Sequence, residues 1–209
     1  MTHSADVRWM ETVRGAVRQV ASTPAGVVEH AVQLYRTDEF LTRVVADYLA
    51  AGLSIGQPAI VIATEPHRRA FAHALRSRGL DTEEILGERE VVRLDARETL
   101  SAFMEGGRPN RDLFMSTVGR VFDKLLRKRS YLIVRGYGEM VDLLWRDGKI
   151  DGAIALEKLW NELARRYSFS LLCAYTVDDR LKEAQTAAFQ RACGQHSCAL
   201  PVEQFRDAS

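Results

Sequence analysis

The segment Tyr131 to Trp145, YLIVRGYGEMVDLLW, constrains this chain more than any other stretch. Tyr131, Leu132, Ile133 and Val134 form an unbroken apolar run, and strands of that kind are buried on both faces, as in parallel sheets covered by helices. The glycines of RGYG predict a tight turn after the run, and a nearly all-apolar helical start carrying Glu139 follows. In open α/β sheets ligands bind beyond the carboxyl ends of the strands, so Arg135 and Glu139 are expected at a binding site. An ion pair between the two, closing the turn, is the competing reading.

The same alternation of strand and helix runs from His30 onward. HAVQLY (30–35), PAIVIAT (58–64), EVVRLD (90–95), SFSLLCAY (168–175) and HSCALP (196–201) read as strands or extended pieces. Between them lie DEFLTRVVADYLAAG, capped by Thr37-Asp38, and PHRRAFAHALRSRG, with Pro66 near its first turn and Gly79 as its stop. Further helices are predicted over ARETLSAFMEGG, RDLFMSTVGRVFDKLLRK, GEMVDLLWRDG, AIALEKLWNELARRY and DDRLKEAQTAAFQRAC. Ahead of all this, Val7, Met10, Val13, Val17 and Val20 recur at helical spacing and end at the breaker cluster STPAG. This helix either packs on the domain or serves as a partner or dimer helix. The expected fold is a single three-layer α/β domain with a largely parallel sheet between helices. Residues 1–24 form the N-terminal helix, 25–203 the domain and 204–209 a tail.

At 209 residues and 46% hydrophobic content the chain holds enough apolar surface for one sizeable core. A formal net charge of +1 leaves no global footprint for nucleic acid or an anionic membrane. The densest basic run, KLLRKR (124–129), reads as the solvated end of a helix. A polar N-terminus and the lack of any apolar run able to span a bilayer predict a cytoplasmic protein. Three cysteines make a sparse, odd set, for which reduced thiols are the default.

Most chemical motifs fail. The turn Thr64-Glu65-Pro66-His67 has neither the glycines nor the Lys-Ser/Thr pair of a phosphate cradle, and Glu65 opposes phosphate. A helix N-terminus there still suits a small polar or anionic group near Thr64 and His67. GYGEMV differs from a dinucleotide fingerprint at Val141, where close helix packing needs glycine. HExxH, GxSxG and paired CxxC are missing. CGQHSC brings Cys193, His196 and Cys198 close in sequence, with Cys173 on a buried strand, but buried cysteines acting as small hydrophobes outweigh a zinc reading. No metal or cofactor is therefore expected. His196 either lines a pocket or caps a strand end. In AIALEKLWNELARRY, Ile154, Leu159, Trp160, Leu163 and Tyr167 share a face typical of core, while Glu157 points to solvent or into a cleft.

Taken together, HAVQLY, AIVIATEPHRRAF, RGYGEMVDLLW, AIALEKLWNEL, SLLCAYTV and CGQHSCALP resemble the MEDS domain, the methanogen/methylotroph DcmR-type sensory domain. The resemblance runs from His30 to Pro201 and implies a relative of the RecA/KaiC-type fold that has lost its P-loop. It implies sensing of small molecules, proposed to be simple hydrocarbon derivatives, in signalling proteins. It also marks His30, Tyr35, His67, Arg135, Glu139, Glu157, Trp160, Cys173, Tyr175 and His196 as site-forming, beside Thr64 from the turn. Family members are often fused to an output module, so a free-standing copy is expected to pass its signal to a kinase, an anti-sigma factor or a transcription regulator. The expectation is a non-catalytic domain that binds a small ligand and changes its affinity for a partner, without direct nucleic-acid or membrane contact. A protein-interaction regulator without a small ligand is the alternative. An enzyme or residual nucleotide binder comes third, for no nucleophile–base pair is recognisable from spacing.

Overall fold

The computed structural model describes residues 30–80, 91–127, 133–177, 191–192, 194–196 and 198–200. The N-terminal helix expected over 7–20 and most of the helix expected over 178–193 lie outside them. Six strands form one sheet in the order β3-β2-β6-β7-β1-β8: Val91–Asp95, Ala59–Ala63, Val134–Gly138, Phe169–Thr176, His30–Tyr35 and Cys198–Leu200. Every pairing in it is parallel. The expected three-layer α/β architecture is the one found.

Each parallel pairing requires a crossover, and the crossovers cover both faces. Helices α1 (Asp38–Leu53) and α2 (Glu65–Arg76) lie on one face against Ala31, Tyr35, Val61, Tyr137 and Leu172. The other face carries α3 (Ala96–Ser101), α4 (Arg111–Phe114), α5 (Arg120–Leu126), α6 (Met140–Arg146) and α7 (Ile150–Ala164) over Val32, Ile60, Val134, Leu171 and Cys173. Alternate residues of each strand thus serve opposite layers. Thr37 caps α1 by accepting from the Phe40 amide, as the sequence predicts, and Asp95 caps α3 through the amides of Arg97 and Glu98.

Three local expectations are corrected. The segment after Ser101 does not stay helical. It folds into a two-stranded hairpin, β4 (Met104–Glu105) and β5 (Arg108–Pro109), because Gly106 and Gly107 both take positive φ, at 55° and 78°. The long helix expected over 111–128 is broken by a π-helical turn at Met115–Gly119 between α4 and α5.

The third correction matters most for the site. The central strand is Val134–Gly138, so RGYG is strand and not turn. Its glycines make room for neighbours: a Cβ on Gly136 would stand 3.1 Å from Leu171 Cδ1, and one on Gly138 would meet the Trp160 ring at 3.7 Å. Arg135 is accordingly moved back to the amino-terminal end of the sheet. There its backbone amide donates to Pro58 O, its Nε donates to Gln57 at 2.8 Å, and its guanidinium lies 5.1 Å from the centre of the Tyr48 ring. Glu139 follows the opposite end of the same strand, about 13 Å away at 3.3 Å per residue. Neither a shared site nor an ion pair between the two survives this placement.

The seat of Arg135 depends on Gly52, whose added Cβ would clash with Arg135 Cγ. Gly52→Ala is expected to destabilise the protein by about 1–3 kcal/mol through overpacking. In an Arg135→Ala background the same change should become neutral or stabilising, by up to about 1 kcal/mol of helix propensity. Chemical denaturation of the two single variants and the double variant measures that reversal.

Candidate functional site

The strand order creates two places where neighbouring strands send their chains in opposite directions, and these are where open α/β sheets bind ligands. At the first, β2 leads towards β3 while β6 leads towards β7. Glu139, only 2% exposed, fills this crevice from the end of β6. Its carboxylate accepts from the Thr64 amide at 2.8 Å and from the Thr64 hydroxyl at 3.1 and 3.2 Å. Thr64 thereby gives its side chain to Glu139 and makes no side-chain cap to its own helix. His67 bridges Glu139 and Asp38, with Nδ1 3.0 Å from Oε1 and Nε2 3.3 Å from Asp38 Oδ1. Burial works against charge on His67, yet Glu139 and Asp38 outweigh it and raise its pKa above the ordinary 6.5. The carboxylate thus occupies the place at the α2 N-terminus where a ligand anion would otherwise sit.

The second place lies beyond the paired ends of β1 and β7, at Tyr35 and Thr176. Asp142 fills it from α6 with no exposed surface. Its carboxylate accepts from the Thr176 amide at 2.8 Å, the Thr176 hydroxyl at 3.0 Å and the Tyr35 hydroxyl at 3.1 Å, and pairs with Arg146 Nε at 2.8 Å. Burial raises the Asp142 pKa, and burial with Asp142 beside it raises that of Tyr35. Asp142, Arg146 and Thr176 were not among the expected site residues. The available signal was an acid isolated within the apolar run MVDLLW, where an unpaired carboxylate is too costly to bury.

A third constellation lies between the sheet and α7. His30 begins β1, Cys173 lies within β7, Glu157 projects from α7 and His196 comes from the segment leading to β8. Their ligating atoms all lie within 4.8 Å of one another. Glu157 is fully buried, which excludes the solvent-facing alternative. Its Oε2 lies 3.2 Å from His30 Nε2 and its Oε1 3.1 Å from His196 Nε2, while the Tyr175 hydroxyl donates to Oε1 at 2.8 Å. Burial would raise this carboxyl, but His196 and His30 prevail and hold it well below the usual carboxylate range. Burial, reinforced by Glu157, pushes the Cys173 thiol well up.

Of the expected site residues, His30, Glu157, Cys173, Tyr175 and His196 therefore converge in one cluster. Thr64, His67 and Glu139 form another, and Tyr35 joins Asp142. Trp160 belongs to the core, with its ring edge-on to Phe114 at 5.3 Å between centroids. Arg135 lies apart from all three, at the amino-terminal end of the sheet. Cys193 and the side chain of Cys198 lie outside the described residues.

Beside the third cluster opens a cleft of about 660 Å³ lined by Arg108, Asp151, Ile154, Ala155, Lys158 and Arg191, with Gln195 at its inner side. Gln195 O accepts from Asn161 Nδ2 at 2.8 Å, and the Asn161 side chain also reaches His30 Nδ1 at 2.9 Å, so cleft wall and cluster share a hydrogen-bonded seam. No helix among the described residues is long and apolar enough to cross a membrane.

The fold is a parallel α/β sheet with charged networks at its strand ends and a histidine, cysteine and carboxylate cluster under one helix. The model of the family described as MEthanogen/methylotroph, DcmR Sensory domain matches residues 29–196, and the chain belongs to this MEDS family of sensory domains. A comparison with curated proteins gave no match.

Glu139→Gln tests the first network. Removing one member of a buried charged pair costs about 3–5 kcal/mol. Because the folded pKa of His67 is raised, its pairing stabilises fully below the unfolded value of 6.5 and is lost as pH rises through the folded value. The destabilisation should therefore be larger near pH 6 than well above the raised pKa. Urea denaturation of both proteins across that range checks the sign, and an equal loss throughout contradicts it.

Proposed function

We propose that this chain is a non-catalytic sensory module. It takes a small molecule at the seam between α7 and residues 191–196 and answers by changing its affinity for a signalling partner. The observation that carries this reading is the convergence of His30, Glu157, Cys173 and His196 beside an open cleft. The networks at the strand ends, by contrast, are filled by the protein's own carboxylates, Glu139 and Asp142. Membership of a sensory family supports the same conclusion.

The lining of the cleft supports one class of ligand. Ile154 and Ala155 offer an apolar wall, while Arg108, Lys158 and Arg191 against the single carboxylate of Asp151 favour a polar or anionic end. A short hydrocarbon derivative with such an end matches both. Its binding would bear on the Asn161–Gln195 hydrogen bond and on the His196–Ala192 contact of 2.9 Å. Residues 194–196 run towards β8, which pairs with β1 in the register Ala31↔Cys198 to Gln33↔Leu200. A ligand that prefers one arrangement of this seam shifts the pairing at the sheet edge, and this is the form a signal takes in a two-state element. A kinase, an anti-sigma factor or a transcription regulator reading that edge completes the proposal. The thiol of Cys173 argues against covalent catalysis, since its pKa is raised and a nucleophilic cysteine needs it lowered.

Thermal melting with a panel of short-chain alcohols, carboxylates and halogenated alkanes tests the reading. At a hundred times its Kd a true ligand stabilises by about 2.7 kcal/mol. Ala155→Phe, which fills the cleft, should abolish that stabilisation while the free protein stays folded. A panel without effect, or an effect that survives Ala155→Phe, contradicts the proposal.

A further inference from the structure

We propose that His30, Glu157, Cys173 and His196 form a binding site for one divalent transition-metal ion of the zinc class. This goes beyond the sensory reading and holds whether or not the cleft takes an organic ligand.

Donor chemistry comes first. Two imidazoles, a thiolate and a carboxylate are the ligands that zinc selects, and as a set they carry two negative charges, which neutralise a divalent ion inside a buried site. Four of the six spacings come close to what a zinc site needs, and all the donor atoms fall within 4.8 Å of one another. A tetrahedron with ligands about 2.0–2.3 Å from zinc places its corners about 3.3–3.8 Å apart. Around the cluster His30 Nε2 lies 3.3 Å from Cys173 Sγ and 3.2 Å from Glu157 Oε2. His196 Nε2 lies 3.1 Å from Glu157 Oε1, and Cys173 Sγ 3.6 Å from Glu157 Oε2.

The outer contacts supply a second, independent observation. Asn161 Nδ2 donates to Gln195 O, which turns Asn161 Oδ1 towards His30 Nδ1 at 2.9 Å. An amide oxygen only accepts, so His30 Nδ1 carries a proton. His196 Nδ1, 2.9 Å from the Ala192 carbonyl, is fixed as a donor by the same reasoning. Both rings therefore turn Nε2 inward, towards one point. Metal-bound histidines are held in this way, by a carbonyl or carboxylate on the far nitrogen. The Tyr175 hydroxyl orients the carboxylate likewise.

Four separate segments supply the ligands, so none of the short metal motifs marks them in the sequence. Of CGQHSC only His196 joins the described cluster; its other ligands come from β1, α7 and β7. Binding displaces to solvent the proton of the Cys173 thiol and the protons that His30 and His196 carry on Nε2, leaving a thiolate and two neutral imidazoles on the metal.

Cobalt(II) titration of the full chain, freed of metal by a chelator and lacking any histidine tag, is the test. One equivalent should produce the ligand-field bands of tetrahedral cobalt together with a near-ultraviolet thiolate-to-cobalt charge-transfer band, and zinc should displace it. Cys173→Ser should remove the charge-transfer band. Asn161→Ala, which leaves all four ligands in place, should weaken cobalt binding about 10–100-fold. The wild-type titration alone can overturn the proposal, by showing no stoichiometric binding or only the weak spectrum of octahedral cobalt. A charge-transfer band that persists in folded Cys173→Ser would equally overturn it.

Discussion

Glu157 holds a full negative charge where no water reaches it, and the arrangement around it follows from that constraint. An isolated carboxylate in an apolar interior is too costly to keep ionised. The start of β1, the middle of β7, helix α7 and residues 194–196 each bring a group to it: His30, Cys173, Asn161 through His30, and His196. Tyr175 completes the set. Losing one partner of such a pair costs about 3–5 kcal/mol, a large part of the stability of an ordinary domain. The cluster therefore fastens the edge of the sheet to its interior. Anything that adds a positive ion or a polar ligand there acts on several elements together.

The strand ends apply the same physics to a different result. Glu139 and Asp142 are likewise desolvated, but each lies beyond the ends of two paired strands and binds there by hydrogen bonds to the residues that end the neighbouring strand or follow it. The position where a nucleotide or anion binds in other parallel sheets is taken by an internal carboxyl group. This accounts physically for a fold that keeps the architecture of ligand-binding α/β proteins without a phosphate cradle. The open volume lies instead along α7, where cations and apolar side chains face a common cleft.

Much of this was legible before any coordinates. Buried apolar runs such as AIVIA announce a parallel sheet, and helix starts were readable from Thr37 and Pro66, because their causes are local. Arg135 was misplaced because glycine has two uses. Gly136 and Gly138 admit Leu171 and the Trp160 ring against an extended strand, a tertiary demand that looks identical to a turn in sequence. Gly106 and Gly107 were read as a helix stop and are the turn of a hairpin. His30, Glu157, Cys173 and His196 were each singled out, yet their meeting depends on strand order, which no spacing encodes.

We propose that response to a ligand resides at the Glu157 seam and not at the strand ends. Hydrogen–deuterium exchange with and without the panel compound that raises the melting temperature most tests it directly. Altered protection is expected in residues 150–164, 191–200 and the first residues of β1, with 64–76 and 139–146 unchanged. Altered protection confined to 64–76 and 139–146 would contradict it and return the site to the edge occupied by Thr64, His67 and Glu139.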